Sequence, residues 1–197
     1  MRKPLEGIKV LDLTTFVAAP VCARMLGDLG AEVIKVERPA GDGWREFGIN
    51  YNVRFSHDEN PVFDIYNSGK KCIALNLKDP AAKEIFMKLL KEADVFVTNT
   101  RPDALERLGF GREAVMARCP RLIYAIVLGF GEQGPEAARP AFDTTAFWSR
   151  SGFLRDMAPV LISSTGHTLT TRSRASSASS RHTGRPCNLA FSSLTFS

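Results

Sequence analysis

Five short runs of aliphatic and β-branched residues recur between Ile8 and Gly131, with helix-patterned segments between most of them. The runs are Ile8–Leu13, Ala31–Glu37, Cys72–Leu77, Asp94–Asn99 and Arg121–Gly131. Runs this short and this apolar suit strands buried on both faces, which happens when helices cover both sides of a parallel sheet. The helix signals agree. Pro20 suits a first helical turn and Gly30 a C-terminal cap. In "DPAAKEIFMKLLKEA", Asp79 suits the N-cap and Pro80 the first turn, while Ala82, Ile85, Phe86 and Leu89 share one face at helical spacing. The predicted architecture is a doubly wound, mostly parallel α/β sheet, Rossmann-like but without G-x-G-x-x-G, with residues 1–159 as one domain.

Two segments break the rhythm. Residues 38–68 carry Pro39, Gly41, Gly43, Asn50, Asn52, Asn60 and Pro61 without periodicity. A loop of that length leaving the carboxyl end of a strand is expected to bind a ligand. Residues 160–197 form the second break. No Asp or Glu follows Asp156, and 16 of the 37 residues from Leu161 onward are Ser or Thr. That composition predicts disordered chain, or a stretch read in a shifted frame. It also accounts for the net charge of +5, because residues 1–160 hold 22 basic and 21 acidic side chains. A nucleic-acid role for the Arg-containing tail is disfavoured, since it lacks interleaved aromatics for base stacking.

Cys22, Cys72, Cys119 and Cys187 lie far apart with no C-x-x-C spacing, which predicts reduced, buried thiols in a cytosolic protein and no metal. The opening "MRKPLEGIKVLDL" is interrupted by Pro4, Glu6 and Lys9 and does not read as a signal peptide. No stretch is apolar for long enough to predict a membrane span.

The sheet suggests a nucleotide, but the turn after the first run reads "LTTFVAAPVCAR", and Walker A is missing as well. Phosphates would then be held by side chains. Lys35, Arg38, Lys70, Lys71, Lys78, Arg101 and Arg107 all fall near predicted strand ends, and arginine forks and lysine ammonium groups suit phosphate oxygens. The histidines His57, His167 and His182 support no Ser–His–acid or Cys–His constellation. Gly129, Gly131 and Gly134 in "GFGEQGP" follow a strand without the Lys-Ser/Thr of a phosphate loop and are expected to form a turn.

Five segments in order, "PLEGIKVLDLTTFVAAP", "GAEVIKVERPAGD", "NSGKKCIALNLKD", "ADVFVTNTRPDALERLGF" and "PRLIYAIVLGFGEQGP", resemble the successive signatures of the class III CoA-transferases. "FDIYNSGKKCIALNLKD" and "PAFDTTAFWSRSGF" look closest to the branch acting on 2-hydroxyacyl and aryl-acyl CoA esters. The resemblance implies a domain that binds coenzyme A, with acyl-CoA and a carboxylic acid as partners, no metal, no nucleic acid and no membrane. Carried over by position, the coenzyme contacts would be Phe16, Val17 and Ala18 after the first strand and Arg38 after the second. Leu75 and Lys78 would follow, then Asn99, Thr100 and Arg101, then Arg107 and Leu108. Pro140 stands where some members have a basic residue, with Arg139 beside it as a substitute.

The resemblance also implies an aspartate nucleophile, in a "G-D-x-x-T/A-G-M" stretch shortly after the Phe142-Asp143 pair. Here the region reads "LISSTGHTLTTRSRASS", and no catalytic residue is assigned. Asp143 and Asp156 sit inside matched segments and are expected to keep supporting roles. The match is expected to end at about residue 159, leaving an inactive amino-terminal part of a transferase or, alternatively, a non-catalytic CoA-binding module. The interlocked homodimer that the family forms is not expected of such a chain.

Overall fold

The computed structural model describes residues 2–54, 56, 59–137, 139–142, 152 and 193–195. Strands β1 (Lys9–Leu13), β2 (Glu32–Glu37), β3 (Lys71–Ala74), β4 (Val95–Thr98) and β5 (Ile123–Leu128) are parallel, in the order β3-β2-β1-β4-β5. The predicted doubly wound sheet is therefore present. A sixth strand, β6 (Ser193–Thr195), pairs antiparallel with β5, opposing Leu194 to Val127. It lies within the segment expected to be structureless; residues 160–190 lie outside the described residues. By contacts, residues 1–139 and 192–197 form one compact unit and residues 140–191 another.

Alternation along each strand gives the sheet two different faces. Leu11, Phe96, Tyr124 and Ile126 point to one side, where they meet α3 (Pro80–Glu92), α4 (Pro102–Leu108) and α5 (Arg112–Arg118) through Phe86, Leu90, Leu105 and Val115. Phe86 packs edge-on against Phe96 at 5.9 Å and Phe110 at 4.7 Å. Val10, Val33, Val97 and Ala125 point the other way, onto Ala23 of α1 (Ala18–Asp28). Small side chains on that face let α1 approach the strands closely.

The helices follow the sequence signals with one difference. Asp79 caps α3 by accepting from the Ala81 amide at 2.9 Å, as its position predicts. Ile85, however, is 44% exposed, and the buried ridge runs through Phe86 and Leu90, one step round from the predicted face. Pro20 is the third residue of α1, within its first turn as predicted. Gly30 closes that helix with φ +110°, and a Cβ there would come within 2.5 Å of the Lys3 side chain.

The third strand is shorter than its apolar run. Its last bond joins the Leu75 amide to the Glu37 carbonyl at 2.8 Å; beyond this β2 turns away at Arg38, and Leu75–Leu77 continue without a partner strand. The long segment after β2 contains two elements where none was predicted: a 3-10 run, Gly43–Tyr51, and α2, Pro61–Asn67. Asp42 caps the first through the Trp44 amide and Asn60 the second through the Phe63 amide. Trp44 then ties them together, stacking on Phe47 and donating from its indole to the Val62 carbonyl at 3.0 Å. Among the described residues, no helix is long and apolar enough to cross a membrane.

Tyr124 is 1% exposed, and burial pushes its phenol up to about 12, with Glu132 adding to the rise and Arg112 opposing it. A raised phenol is neutral in the fold and ionises more easily once unfolded, so its contribution to stability is complete below the ordinary value near 10 and is lost between about 10 and 12. Tyr124→Phe is expected to flatten this part of the stability profile, measured by urea unfolding across that alkaline range.

Candidate functional site at the carboxyl edge of the sheet

Strand order reverses between β1 and β4, so the connections leaving their carboxyl ends diverge and open a crevice. The β1–α1 turn at this crevice lacks the glycines that usually shape it, and Phe16 adopts φ +65° despite its side chain. A left-handed bulky residue costs roughly 1–2 kcal/mol, which surrounding contacts must offset. Three neighbours supply them. Lys35 Nζ donates to the Thr14 carbonyl at 2.8 Å. Asn99 accepts from the Thr15 amide at 3.0 Å and donates to its carbonyl at 2.9 Å. Asp42 accepts from the Phe16 amide at 3.2 Å.

Behind the turn lies a buried set of charges. Lys35 Nζ sits 3.1 Å from Asp42 Oδ2, and neither side chain has exposed surface. Lys70 Nζ reaches Asp12 Oδ2 at 2.8 Å, the Pro20 carbonyl at 2.9 Å and Asn67 Oδ1 at 2.9 Å. Burial pushes the Lys70 ammonium below its ordinary range, and the Asp12 carboxylate works against that shift. Glu37 takes a two-pronged contact from Arg45, at 2.8 and 2.7 Å, and a further bond from the Asp42 amide at 2.9 Å. Burial alone would raise the Glu37 carboxyl; the Arg45 and Asp42 hydrogen bonds, with the Arg45 and Lys35 charges, hold it below the usual range.

In front of the turn is a cleft of about 240 Å³. Its walls bring together Thr14, Thr15, Arg38, Gly41, Asp42, Leu75, Asn76, Leu77, Lys78, Thr100 and Leu108. Five residues carried over by resemblance, Arg38, Leu75, Lys78, Thr100 and Leu108, therefore share one cavity, although they come from three different connections, those after β2, β3 and β4. Phe16, Val17 and Ala18 form the turn and the start of α1 beside it. Asn99 has both ends of its amide engaged by Thr15. Arg101 is the exposed N-cap of α4, and Arg107 on the same helix pairs with Asp103 at 3.0 Å. A second cavity of about 550 Å³ lies on the far side of Arg38, between Pro39, Arg45, Glu46, Cys72 and Ala74.

Part of the expected basic set is placed elsewhere. Lys35 and Lys70 are buried in the ion network, and Lys71, at the start of β3, pairs with Glu32 at 2.6 Å. Sequence position alone could not show that these ammonium groups fold inward. Arg139 pairs with Glu136 at 2.6 Å. Burial of all thiols does not hold either: Cys119 is buried, but Cys22 is only half-buried and Cys72 exposed. His57, His167, His182, Asp143, Asp156 and Cys187 lie outside the described residues. Among the described residues, no group of three His, Cys, Asp or Glu could hold a metal ion. Asp42, Thr14 and Asn76 were not singled out from the sequence; Gly41 and Gly43 flanking Asp42 were the available sign of a tight, packed bend.

Because the Glu37 carboxyl is depressed, its contribution is present above the ordinary carboxylate value and lost as pH falls through its lowered value. Glu37→Gln is expected to lower stability at neutral pH by about 1–3 kcal/mol. That gap should close in strong acid when unfolding is followed against pH.

Comparison with known proteins supplies a family for this arrangement. Residues 5–159 match the family described as CoA-transferase family III. The chain is 49% identical over 148 residues to (R)-2-hydroxy-4-methylpentanoate CoA-transferase of Clostridioides difficile, covering 75% of this chain and 37% of that protein. It is 43% identical over 147 residues to cinnamoyl-CoA:phenyllactate CoA-transferase of Clostridium sporogenes, covering 75% and 36%. The crystal structure of a CAIB/BAIF family protein from Brucella suis superposes with TM-score 0.71 at 34% identity, covering 77% of this chain and 40% of that one. The chain thus spans little more than a third of the length of the curated relatives it matches.

Proposed function

The chain belongs to CoA-transferase family III, and we propose that its carboxyl-edge cleft binds coenzyme A as the thioester-carrying partner of acyl transfer. The observation that carries this reading is the convergence of Arg38, Leu75, Lys78, Thr100 and Leu108 on one cavity. Their chemistry suits the ligand. Arg38 and Lys78 are exposed cations at the rim, with Arg101 and Arg107 close by in sequence to Thr100 and Leu108. Such groups match phosphate oxygens. Leu75, Leu77 and Leu108 offer apolar surface for the adenine or the pantetheine arm.

The activity proposed for the full protein is movement of coenzyme A from an acyl-CoA to a carboxylic acid. A carboxylate attacks the thioester carbonyl, the carbon–sulfur bond breaks, and CoA thiolate leaves a mixed anhydride behind. The thiolate then attacks the aspartyl carbonyl, releasing the first acid and leaving an aspartyl-CoA thioester for the incoming acid. The similarity to enzymes named for 2-hydroxy-4-methylpentanoate and phenyllactate favours 2-hydroxy acids as one substrate class. Residues 157–197 contain no Asp or Glu, so no residue of this chain is assigned to the attack. On this reading the chain holds coenzyme A without transferring it, in a cytosolic setting that keeps its thiols reduced.

Two measurements test the reading. Calorimetric titration of coenzyme A should show saturable binding, weakened at least tenfold, about 1.4 kcal/mol, by Arg38→Ala. No binding by the unaltered chain would overturn it. Intact-mass analysis after incubation with acyl-CoA should show no acyl or CoA adduct; an adduct on one of its carboxylates would overturn the non-catalytic part.

A further inference from the structure

We propose that Asp42 is a positioning residue that presets the β1–α1 turn for the coenzyme, acting through the Phe16 amide and itself fixed by Lys35. The inference rests on the coenzyme reading of the cleft. Asp42 occupies a junction. Its Oδ1 accepts from Phe16 and from Trp44, at 3.2 and 3.0 Å, so one oxygen joins the β1–α1 turn to the 3-10 run after β2. Its amide donates to Glu37 at 2.9 Å, which anchors the bend to the end of β2. Its Oδ2 faces Lys35 at 3.1 Å and takes no hydrogen bond from any described residue.

This geometry does by side chain what a glycine-rich turn does by lacking side chains. Phe16 holds a left-handed conformation, and its ring packs over Gly43, where an added Cβ would lie 3.5 Å away, and against Trp44 at 6.2 Å. Asp42 is therefore bonded to both halves of the contact that keeps the ring in place. Lys35 completes the link, because the same ammonium that faces Asp42 also holds the Thr14 carbonyl. Thr14, Gly41 and Asp42 all line the cleft. The turn and the Arg38–Gly43 bend consequently form one wall, and the shape of that wall depends on an acceptor at position 42.

Single substitution of Asp42 would leave Lys35 buried without its counter-ion, so the test uses paired variants. Lys35→Met with Asp42→Ala removes both charges and the acceptor; Lys35→Met with Asp42→Asn removes the charges and keeps an acceptor for Phe16. The Ala pair also loses the cap on Trp44 and is expected to unfold at a somewhat lower urea concentration, so both variants are compared under conditions where urea curves show them folded. The Ala pair is expected to bind coenzyme A at least tenfold more weakly than the Asn pair, and to exchange its Phe16 amide proton at least tenfold faster without ligand. Equal coenzyme affinities, or equal Phe16 exchange, in the two pairs would overturn the positioning role. Failure of the unaltered chain to bind coenzyme A would overturn the coenzyme reading instead, and the Phe16 exchange comparison would separate that result from a failure of the link itself.

Discussion

A lysine ammonium with no exposed surface costs several kcal/mol to remove from water, and Lys35 carries that cost in the middle of a structural strand. Only well-placed acceptors make such a burial tolerable. The Thr14 carbonyl and the Asp42 carboxylate are those acceptors, and each belongs to a connection leaving the carboxyl end of a strand. Folding β2 therefore fixes two neighbouring loops at once. The Lys70–Asp12 pair works in the same way one layer away, joining the start of β3 to β1 and to the first turn of α1 through the Pro20 carbonyl. These ion pairs are better understood as determinants of loop position than as net sources of stability, since apolar substitutes of equal volume would cost less to bury.

The consequence is a cleft whose walls are cross-linked from behind and whose charges are divided by role. Inward-folded cations set the backbone, while Arg38 and Lys78 line the cleft and remain exposed. Neither of these two cations belongs to the ion network behind the turn. The arrangement reaches the result of a glycine-rich nucleotide turn by a different route, with Asn99, Lys35 and Asp42 restraining a turn that carries ordinary side chains.

Much of the fold was legible because it depends on patterns local in sequence. The five apolar runs became the five parallel strands, and Asp79-Pro80 opened α3 as its position predicts. What was not legible depends on contacts distant in the chain. The Gly43–Tyr51 and Pro61–Asn67 elements have no strong periodicity; they are held by caps and by Trp44, whose partners include Phe16 and Tyr66, both distant in the chain. Leu75–Leu77 looked like strand, but strand pairing needs a neighbour, and β2 had already turned away. Within the site, Arg38 and Lys78 stood out both by charge near strand ends and by family resemblance, Leu75, Thr100 and Leu108 by resemblance alone, and the geometry brings all five together. The inward folding of Lys35 and Lys70 could not be read from charge alone, because a lysine near a strand end looks the same whether its stem reaches outward or back.

The account holds that one preformed cleft at the carboxyl edge receives coenzyme A. Amide chemical-shift mapping during a coenzyme A titration tests this most directly. The account predicts perturbations concentrated at Thr15, Phe16, Arg38, Lys78 and Thr100, with the amino edge of the sheet around Lys9 and Glu32 unchanged. Perturbations confined to that opposite edge, or to the Lys83–Lys91 side of α3, would contradict it.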